Sequence, residues 1–363
     1  MPAFSEDIKI SVKKISALVN DPEKSARAVH LMYVHDKQPG ISRVRHGNTF
    51  CYYLGKKKVR DKKILERIKN LVIPPAWENV WICHQENGHL QATGFDTRKR
   101  KQYRYHQRWN SFRNQTKFFR LYEFGKTIPA IRKQLKKDLA KPGLPAEKVL
   151  ATVVYLMEQT SIRVGNSTYE KLYGSFGLTT LKDKHTTING ENIQFTFTGK
   201  KGVAHNIRLK SRKLARIIKQ CRDIPGKELF QYYDQDGNRH AIDSGMVNDY
   251  LKSITGQDFT TKDFRTWIGS IKAISAFKEL EIAETKAAIK QNIVAVMDSV
   301  AEHLGNTRTV CKKYYVHPII IELYECSKLH DHFRCTINNA IKKLSLTDDE
   351  KLLMNILEKE VLK

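Results

Sequence analysis

AEHLGNTRTVCKKYYVHP, residues Ala301–Pro318, decides how the rest of the chain is read. A helical pattern closes at Gly305, because glycine accepts the left-handed conformation that ends helices. Asn306-Thr307 then offers side-chain oxygens to cap the next helix. That helix carries Lys312, Lys313, Tyr314 and Tyr315, so cations stand beside two phenols. Three earlier segments each add a cation in a distinctive setting. Thr160–Tyr169 (TSIRVGNSTY) puts Arg163 just past a long helical pattern and before Gly165. Phe195–Asn206 (FTFTGKKGVAHN) puts Lys200 in a hairpin turn after an alternating strand. Phe259–Ile268 (FTTKDFRTWI) puts Arg265 beside Phe264 and Trp267 on an amphipathic helix. Taken singly, each reads as one surface cation in a chain that has 64 lysines and arginines.

The charge narrows the partner. Lys+Arg 64 against Asp+Glu 38 leaves +26 over 363 residues, spread along the whole chain rather than gathered in a tail. Such an excess favours a polyanion, since each cation set against a phosphate releases a condensed counterion. Nucleic acid is the first candidate and an anionic membrane surface the second. Hydrophobic residues at 40% and charged residues at 28% are those of an ordinary globular chain long enough for a real core. There is no apolar run of about eighteen residues, so no membrane span is expected. The start, MPAFSEDIKI, lacks the basic-then-apolar pattern of a secretory signal. The six cysteines are scattered, which suits reduced thiols and a cytoplasmic location, at the nucleoid if the source is bacterial.

Working outward, the first hundred residues are strand-rich. Val44–Leu54 turns at Gly47-Asn48, Asp61–Ile73 is helical and stops at Pro74-Pro75, and Val80–Cys83 with Leu90–Gly94 forms a hairpin around Glu86-Asn87-Gly88. Lys101–Trp109 has strand periodicity, with Tyr103, Tyr105 and Trp109 on one face and Gln102, Arg104, His106 and Arg108 on the other. From Asn110 onward the pattern is helical: Phe112–Phe124, Lys126–Ala140, Ala146–Gln159, and again from Asp263 to the end. A small β region at Thr186–Leu209 interrupts it. The fold class is therefore α+β. A strand-rich domain spans 1–109 and a mainly helical one 110–363.

Three chemistries fit poorly. The phosphate-loop pattern GxxxxGK[ST] is missing, with Gln194 where its first glycine belongs. Asp234–Asn238 starts like a calcium loop, but Arg239 occupies the place of the required glycine, so a polar turn between strands is expected. Cys326, His330, His332 and Cys335 bear metal-capable atoms at a spacing that fits no common zinc site; a helix with both cysteines buried as small hydrophobes is expected instead.

The order Arg163, Lys200, Lys262-x-x-Arg265, Leu304-Gly305-Asn306, Tyr315 resembles the type IB DNA topoisomerases, and the small bacterial and poxvirus branch most, the bacterial form in particular. Pro74–Trp77 (PPAW), Gln91–Asp96 (QATGFD), Lys101–Tyr105 (KQYRY) and Val247–Leu251 (VNDYL) extend the resemblance along most of the chain. It implies a helical catalytic domain of the kind shared with tyrosine recombinases. Arg163 and Arg265 match the two catalytic arginines, Lys200 the hairpin lysine and Tyr315 the nucleophile. Tyr314 is the obvious confusion, but family spacing sets the tyrosine nine positions past Asn306, before Val-His-Pro. Asn306 stands where many relatives have histidine. It can hydrogen-bond a phosphoryl oxygen but carries no proton or charge.

Reversible strand breakage asks for these groups. A phenolate keeps the phosphodiester energy as a phosphotyrosine ester, guanidinium forks match the charged oxygens of the transition state, and an ammonium of lowered pKa can protonate the leaving oxygen. The resemblance thus implies no metal, cofactor or ATP, and a 3′-phosphotyrosine with a free 5′ hydroxyl. It also sets Gln102, Tyr103 and Tyr105 against the target duplex, Asn166 and Tyr169 on a helix entering the major groove, and Lys201 beside the catalytic lysine. The poxvirus branch has lysine at the Asn166 position, so its sequence preference does not carry over. A monomer closing as a clamp around duplex DNA is expected. A tyrosine recombinase usually has His-x-Leu-Arg where this chain has Lys262-Asp-Phe-Arg265, and a non-catalytic packaging protein has no need of Tyr315.

Overall fold

Turn residues and alternation build the first part of the chain. The computed structural model describes residues 21–362 other than Asn48, Arg98 and Arg100; the side chains of Asn114, Gln115, Lys117, Phe119, Thr168 and Tyr169 also lie outside the described set. Helix α1 (Pro22–Ala28) is capped by Asp21. Strands β1 (Ile41–His46) and β2 (Thr49–Leu54) pair antiparallel about Gly47, whose φ of 58° is the left-handed conformation this tight turn needs. β3 (Lys57–Lys58), β4 (Glu78–Ile82), β5 (Leu90–Phe95) and β6 (Lys101–Tyr105) complete a six-stranded antiparallel sheet in the order β3-β2-β1-β4-β5-β6. Asp61 caps α2 (Lys62–Asn70), accepting from Lys63 and Ile64 N–H. That helix buries Ile68 with Ile41, Val80, Ile82 and Ala92. Gln91 is structural: it is buried, donates to the Glu86 and Gly88 carbonyls and accepts from Arg67, so it holds the hairpin turn.

The strand expected over Lys101–Trp109 stops at Tyr105, and α3 (Gln107–Asp138) begins two residues later. His106 Nδ1 accepts from Arg108 N–H at 3.1 Å, turning the chain. Helical spacing then places Trp109 and Phe112 together against Ala26, Val29 and Leu31. Tyr103 and Tyr105 stay on one strand face as alternation requires, but Trp109 does not share it. α3 also runs unbroken from Gln107 to Asp138, with Pro129 inside it, where two stretches, Phe112–Phe124 and Lys126–Ala140, are expected.

Contacts divide the chain into two units, Met1–Arg120 and Leu121–Lys363, with the division inside α3. In the second, α4 (Ala146–Thr160) is the central helix, burying Val149, Val153, Val154, Leu156 and Met157. α5 (Ser167–Tyr173) precedes a meander of β7 (Thr186–Asn189), β8 (Asn192–Thr198) and β9 (Ala204–Lys210), with the Gly199–Gly202 turn between the last two. α6 (Arg212–Arg222) leads to the short pair β10 (Gln231–Tyr233) and β11 (Arg239–Ala241). The loop between them is the expected polar turn: Asp234 Oδ1 accepts from Asp236 and Asn238 N–H. The remaining helices are α7 (Ser244–Thr255), α8 (Thr261–Lys278), α9 (Lys286–Leu304), α10 (Arg308–Tyr314), α11 (Pro318–Glu325), α12 (Leu329–Arg334), α13 (Asn339–Lys342) and α14 (Asp348–Glu360).

α8 is fixed by two devices. Thr260 and Asp263 form a reciprocal capping box at its start. Further along, Trp267 Nε1 donates to Glu350 on α14, which takes a forked pair from Arg132 on α3 at 2.7 and 2.8 Å; Arg132 Nε holds Glu158 on α4. Four helices are thus pinned by one buried ionic group. Cys326 and Cys335 are exposed, not buried as expected, because Ser327 at φ 59° breaks the helix and leaves each cysteine at a helix end. No group of three or more His, Cys, Asp or Glu side chains converges as a metal site would among the described residues. None of the described helices is long and apolar enough to cross a membrane.

The aromatic cluster of the first unit carries a pH dependence. His89 is 5% exposed, stacks on Tyr33 at 4.2 Å and meets Trp109 edge-on, and its Nδ1 accepts from Val34 N–H. Burial lowers its pKa to about 4. The folded unit therefore binds fewer protons than the unfolded chain below the ordinary histidine value of about 6.5, and stability is lost as pH falls from there to about 4. Urea unfolding of the first unit in the intact protein is expected to show the stability gap between wild type and His89→Gln shrinking by about 3 kcal/mol from pH 7 to pH 4. A gap unchanged with pH contradicts the buried neutral histidine.

Candidate active site

Arg163 is placed by the end of α4. Ser161 takes the left-handed conformation at φ 55° and stops the helix. The Arg163 and Val164 carbonyls accept from Leu178 and Thr179 N–H, which clamps the segment. Gly177 permits the approach, since a Cβ there would lie 2.5 Å from the Arg163 carbonyl oxygen. The guanidinium reaches across to the turn after α9: Nη2 donates to Asn306 Oδ1 at 2.8 Å and to the Gly305 carbonyl at 3.2 Å. Gly305 sits at φ 57° as the sequence predicts, and Thr307 caps α10.

Arg265 is 5% exposed on the second turn of α8. Nη1 donates to the Ser161 carbonyl at 2.6 Å and Nη2 to the Leu304 carbonyl at 2.7 Å, the C-terminal ends of α4 and α9. Helix C-termini carry partial negative charge, so this cation sits where two of them converge. Its Nε is buried without a hydrogen-bond partner among the described residues. The guanidinium carbon lies 4.9 Å from the centroid of the Tyr315 ring, within cation–π range. Neither arginine pairs with a carboxylate among the described residues. Burial, then the neighbouring Arg265, lowers the Arg163 pKa to about 10.

Tyr315 ends α10, its N–H bonded to the Cys311 carbonyl. Its backbone rests on α8, where Ser270 Oγ donates to the Tyr315 carbonyl and accepts from His317 N–H. Tyr315 is half-buried with the Arg265 guanidinium over its ring, whereas Tyr314 is exposed beside Lys313. The two tyrosines are therefore distinct: only Tyr315 faces the arginines. Lys200 opens the turn between β8 and β9. Its side chain reaches solvent. Yet the protein around its ammonium, and then the Arg163 charge, lower its pKa from the ordinary lysine value, with Tyr315 pulling the other way.

Arg163, Lys200, Arg265, Asn306 and Tyr315 are thus brought together from four stretches of chain. Of the residues expected at a duplex, Lys201 is exposed in the hairpin turn at φ 65°. Asn166 is exposed just before α5, and the Tyr169 side chain lies outside the described residues. In the first unit, Tyr103 and Tyr105 are 47% and 40% exposed and stack at 5.9 Å, while Gln102 donates to Asp96. Sequence reasoning misses Ser161, Gly269, Ser270 and His205, which hold the site by backbone contacts or packing that no motif spacing encodes.

Two family profiles match. "Eukaryotic DNA topoisomerase I, catalytic core" covers residues 100–332, a span holding all five clustered residues. "Bacterial DNA topoisomerase IB, N-terminal domain" covers residues 49–96. The DNA topoisomerase 1B of Acanthamoeba polyphaga mimivirus is 34% identical over 79% of this chain and 88% of its own length. The DNA topoisomerase I of Monkeypox virus and the DNA topoisomerase 1B of Vaccinia virus (strain Copenhagen) are each 24% identical over 72% of this chain and 81% of theirs. An enzyme class follows from fold, profiles and relatives together: the chain belongs to the type IB DNA topoisomerases, on the bacterial and viral side of that family.

The seat of Tyr315 is testable by one methyl group. A Cβ on Gly269 would lie 2.6 Å from the Tyr315 carbonyl oxygen and 3.1 Å from its Cβ. In an unobstructed helix, Gly→Ala stabilises by up to about 1 kcal/mol. Here backbone must shift, so Gly269→Ala is expected to lower stability by about 1–3 kcal/mol in urea unfolding. A variant as stable as wild type, or more so, contradicts the contact.

Proposed function

We propose that the enzyme relaxes supercoiled duplex DNA by transient cleavage of one strand, with Tyr315 as nucleophile. The observation that carries the reading is the Tyr315 ring beneath the Arg265 guanidinium, with Arg163 and Lys200 acting on the same space and no carboxylate paired to either arginine among the described residues. A scissile phosphate seated there meets guanidinium N–H groups at its non-bridging oxygens. Arg265 Nε is one donor with no competing partner among the described residues, and Arg163 is another. Donors fixed before the reaction stabilise the charge of an in-line displacement without reorganising.

The Tyr315 phenol gives up its proton to solvent, and its oxygen bonds to phosphorus as the bond to the 5′ oxygen breaks. That oxygen takes a proton from Lys200, whose lowered pKa favours the transfer. The result is a 3′-phosphotyrosine and a 5′ hydroxyl. In resealing, the hydroxyl returns its proton to the lysine and attacks phosphorus, and Tyr315 leaves as phenolate and regains a proton from solvent. Because the ester conserves the bond energy, the cycle calls on neither ATP nor metal, and rotation between the two steps removes supercoils of either sign. Asn306 has one amide N–H directed at the Leu304 carbonyl and its oxygen held by Arg163, so its other N–H is the group it can turn to a phosphoryl oxygen. Gln102, Tyr103, Tyr105, Asn166, Tyr169 and Lys201 are the proposed duplex contacts of a monomer that closes around DNA.

Stopping the reaction with denaturant tests the nucleophile. Wild type and Tyr314→Phe are expected to give a covalent protein–DNA adduct. Tyr315→Phe is expected to give none while binding duplex within about twofold of wild type. An adduct that survives in Tyr315→Phe and vanishes in Tyr314→Phe contradicts the assignment.

A further inference from the structure

One side chain connects the hairpin that bears Lys200 to the turn that bears Asn306. His205 lies on β9 opposite Phe197 of β8, and its ring stacks on Phe197 at 4.8 Å with 17° between the planes. Phe197 is buried in the core, so the imidazole is tied to a rigid base. The Nε2 edge of the ring faces two glycines. A Cβ built on Gly199 would come within 2.6 Å of Nε2, and one on Gly305 within 2.8 Å of Cε1. Neither glycine can gain a side chain without moving the ring. The imidazole therefore fills the space between the residue preceding Lys200 and the residue preceding Asn306. Beyond it, the Gly305 carbonyl accepts from Arg163.

We propose that His205 is a positioning residue that fixes the hairpin lysine against the Arg163–Asn306 side of the site. The proposal rests on the reading of Lys200 as proton donor. The hairpin turn itself is short and polar, with Lys201 and Gly202 both at positive φ, so its tip needs an external stop. A flat ring that stays neutral suits the place: burial first, then Arg163 and Arg265, lowers the His205 pKa, so it adds no charge to a cluster already rich in cations. Misplacing a reacting group by about an ångström can cost about a hundredfold in rate, so a ring that only packs can matter to the chemistry.

The test uses the intact protein and single-turnover cleavage of an oligonucleotide duplex, with duplex affinity and thermal midpoint measured alongside. His205→Ala is expected to cleave about 10- to 100-fold slower while binding duplex within about twofold of wild type. His205→Gln, whose flat amide refills part of the space, recovers part of the rate. The double variant with Lys200→Ala is expected to be no slower than Lys200→Ala alone, because the ring acts through the lysine. With sulfur in place of the scissile 5′ oxygen, the leaving group needs no proton, and His205→Ala returns close to wild type. A His205→Ala protein that cleaves at the wild-type rate, a loss that multiplies with Lys200→Ala, or a loss that persists on the sulfur substrate overturns the proposal. If Lys200→Ala itself cleaves at the wild-type rate, the proton-donor reading falls and the proposal with it. If Lys200→Ala is slow and His205→Ala is not, only the positioning claim fails.

Discussion

Two helices end on one guanidinium. The carbonyls of Ser161 and Leu304, closing α4 and α9, both accept from Arg265, a residue of α8. These bonds set the distance between the segment that carries Arg163 and the turn that carries Asn306, and they hold the guanidinium over the Tyr315 ring. Removing the guanidinium would leave two buried helix ends unsatisfied as well as deleting a charge from the site. Position and chemistry thus rest on the same group. The Glu350 cluster supports it from behind, since Trp267, two residues on, is bonded into the ionic knot that ties α3, α4 and α14.

Gathering like charges is costly, and among the described residues the fold offsets this without a carboxylate on either arginine. Partial negative charge comes from helix C-termini and from the Asn306 amide oxygen. Burial first, and then the repulsion that is left, lowers the pKa values of Arg163 and Lys200. An acidic partner would have quenched the same field more fully, but it would also have competed with a phosphate for it. A site held by neutral dipoles keeps its affinity for an anion, which agrees with the excess of 26 positive charges over the chain.

Much of this was legible in the residues. Gly305, Asn306-Thr307 and the Gly199–Gly202 turn are local signals, and local signals decide caps and hairpins whatever surrounds them. The β1–β2 and β4–β5 hairpins of the first sheet and the polar turn at Asp234 follow the same logic. The misreadings have a common cause, which is tertiary context. Trp109 was grouped with a strand by alternation, but helical spacing alone brings it to Ala26 and Val29. Cys326 and Cys335 were placed inside by an apolar pattern that Ser327 interrupts. The break expected between Phe124 and Lys126 is absorbed within α3, which runs on through Pro129. The supporting residues of the site were hidden for another reason. Ser161 and Leu304 act through carbonyls, Gly269 through a missing side chain and His205 through ring packing, and none of these leaves a mark in residue spacing.

The central claim is that side-chain cations alone, without a bound metal or a nucleotide, carry the exchange between a phenol and a DNA phosphodiester. Purified protein incubated with positively and negatively supercoiled plasmid, in excess chelator and without nucleoside triphosphate, measures this directly. The account predicts that both plasmids relax fully under those conditions. Activity that the chelator abolishes and an added divalent cation restores would contradict it.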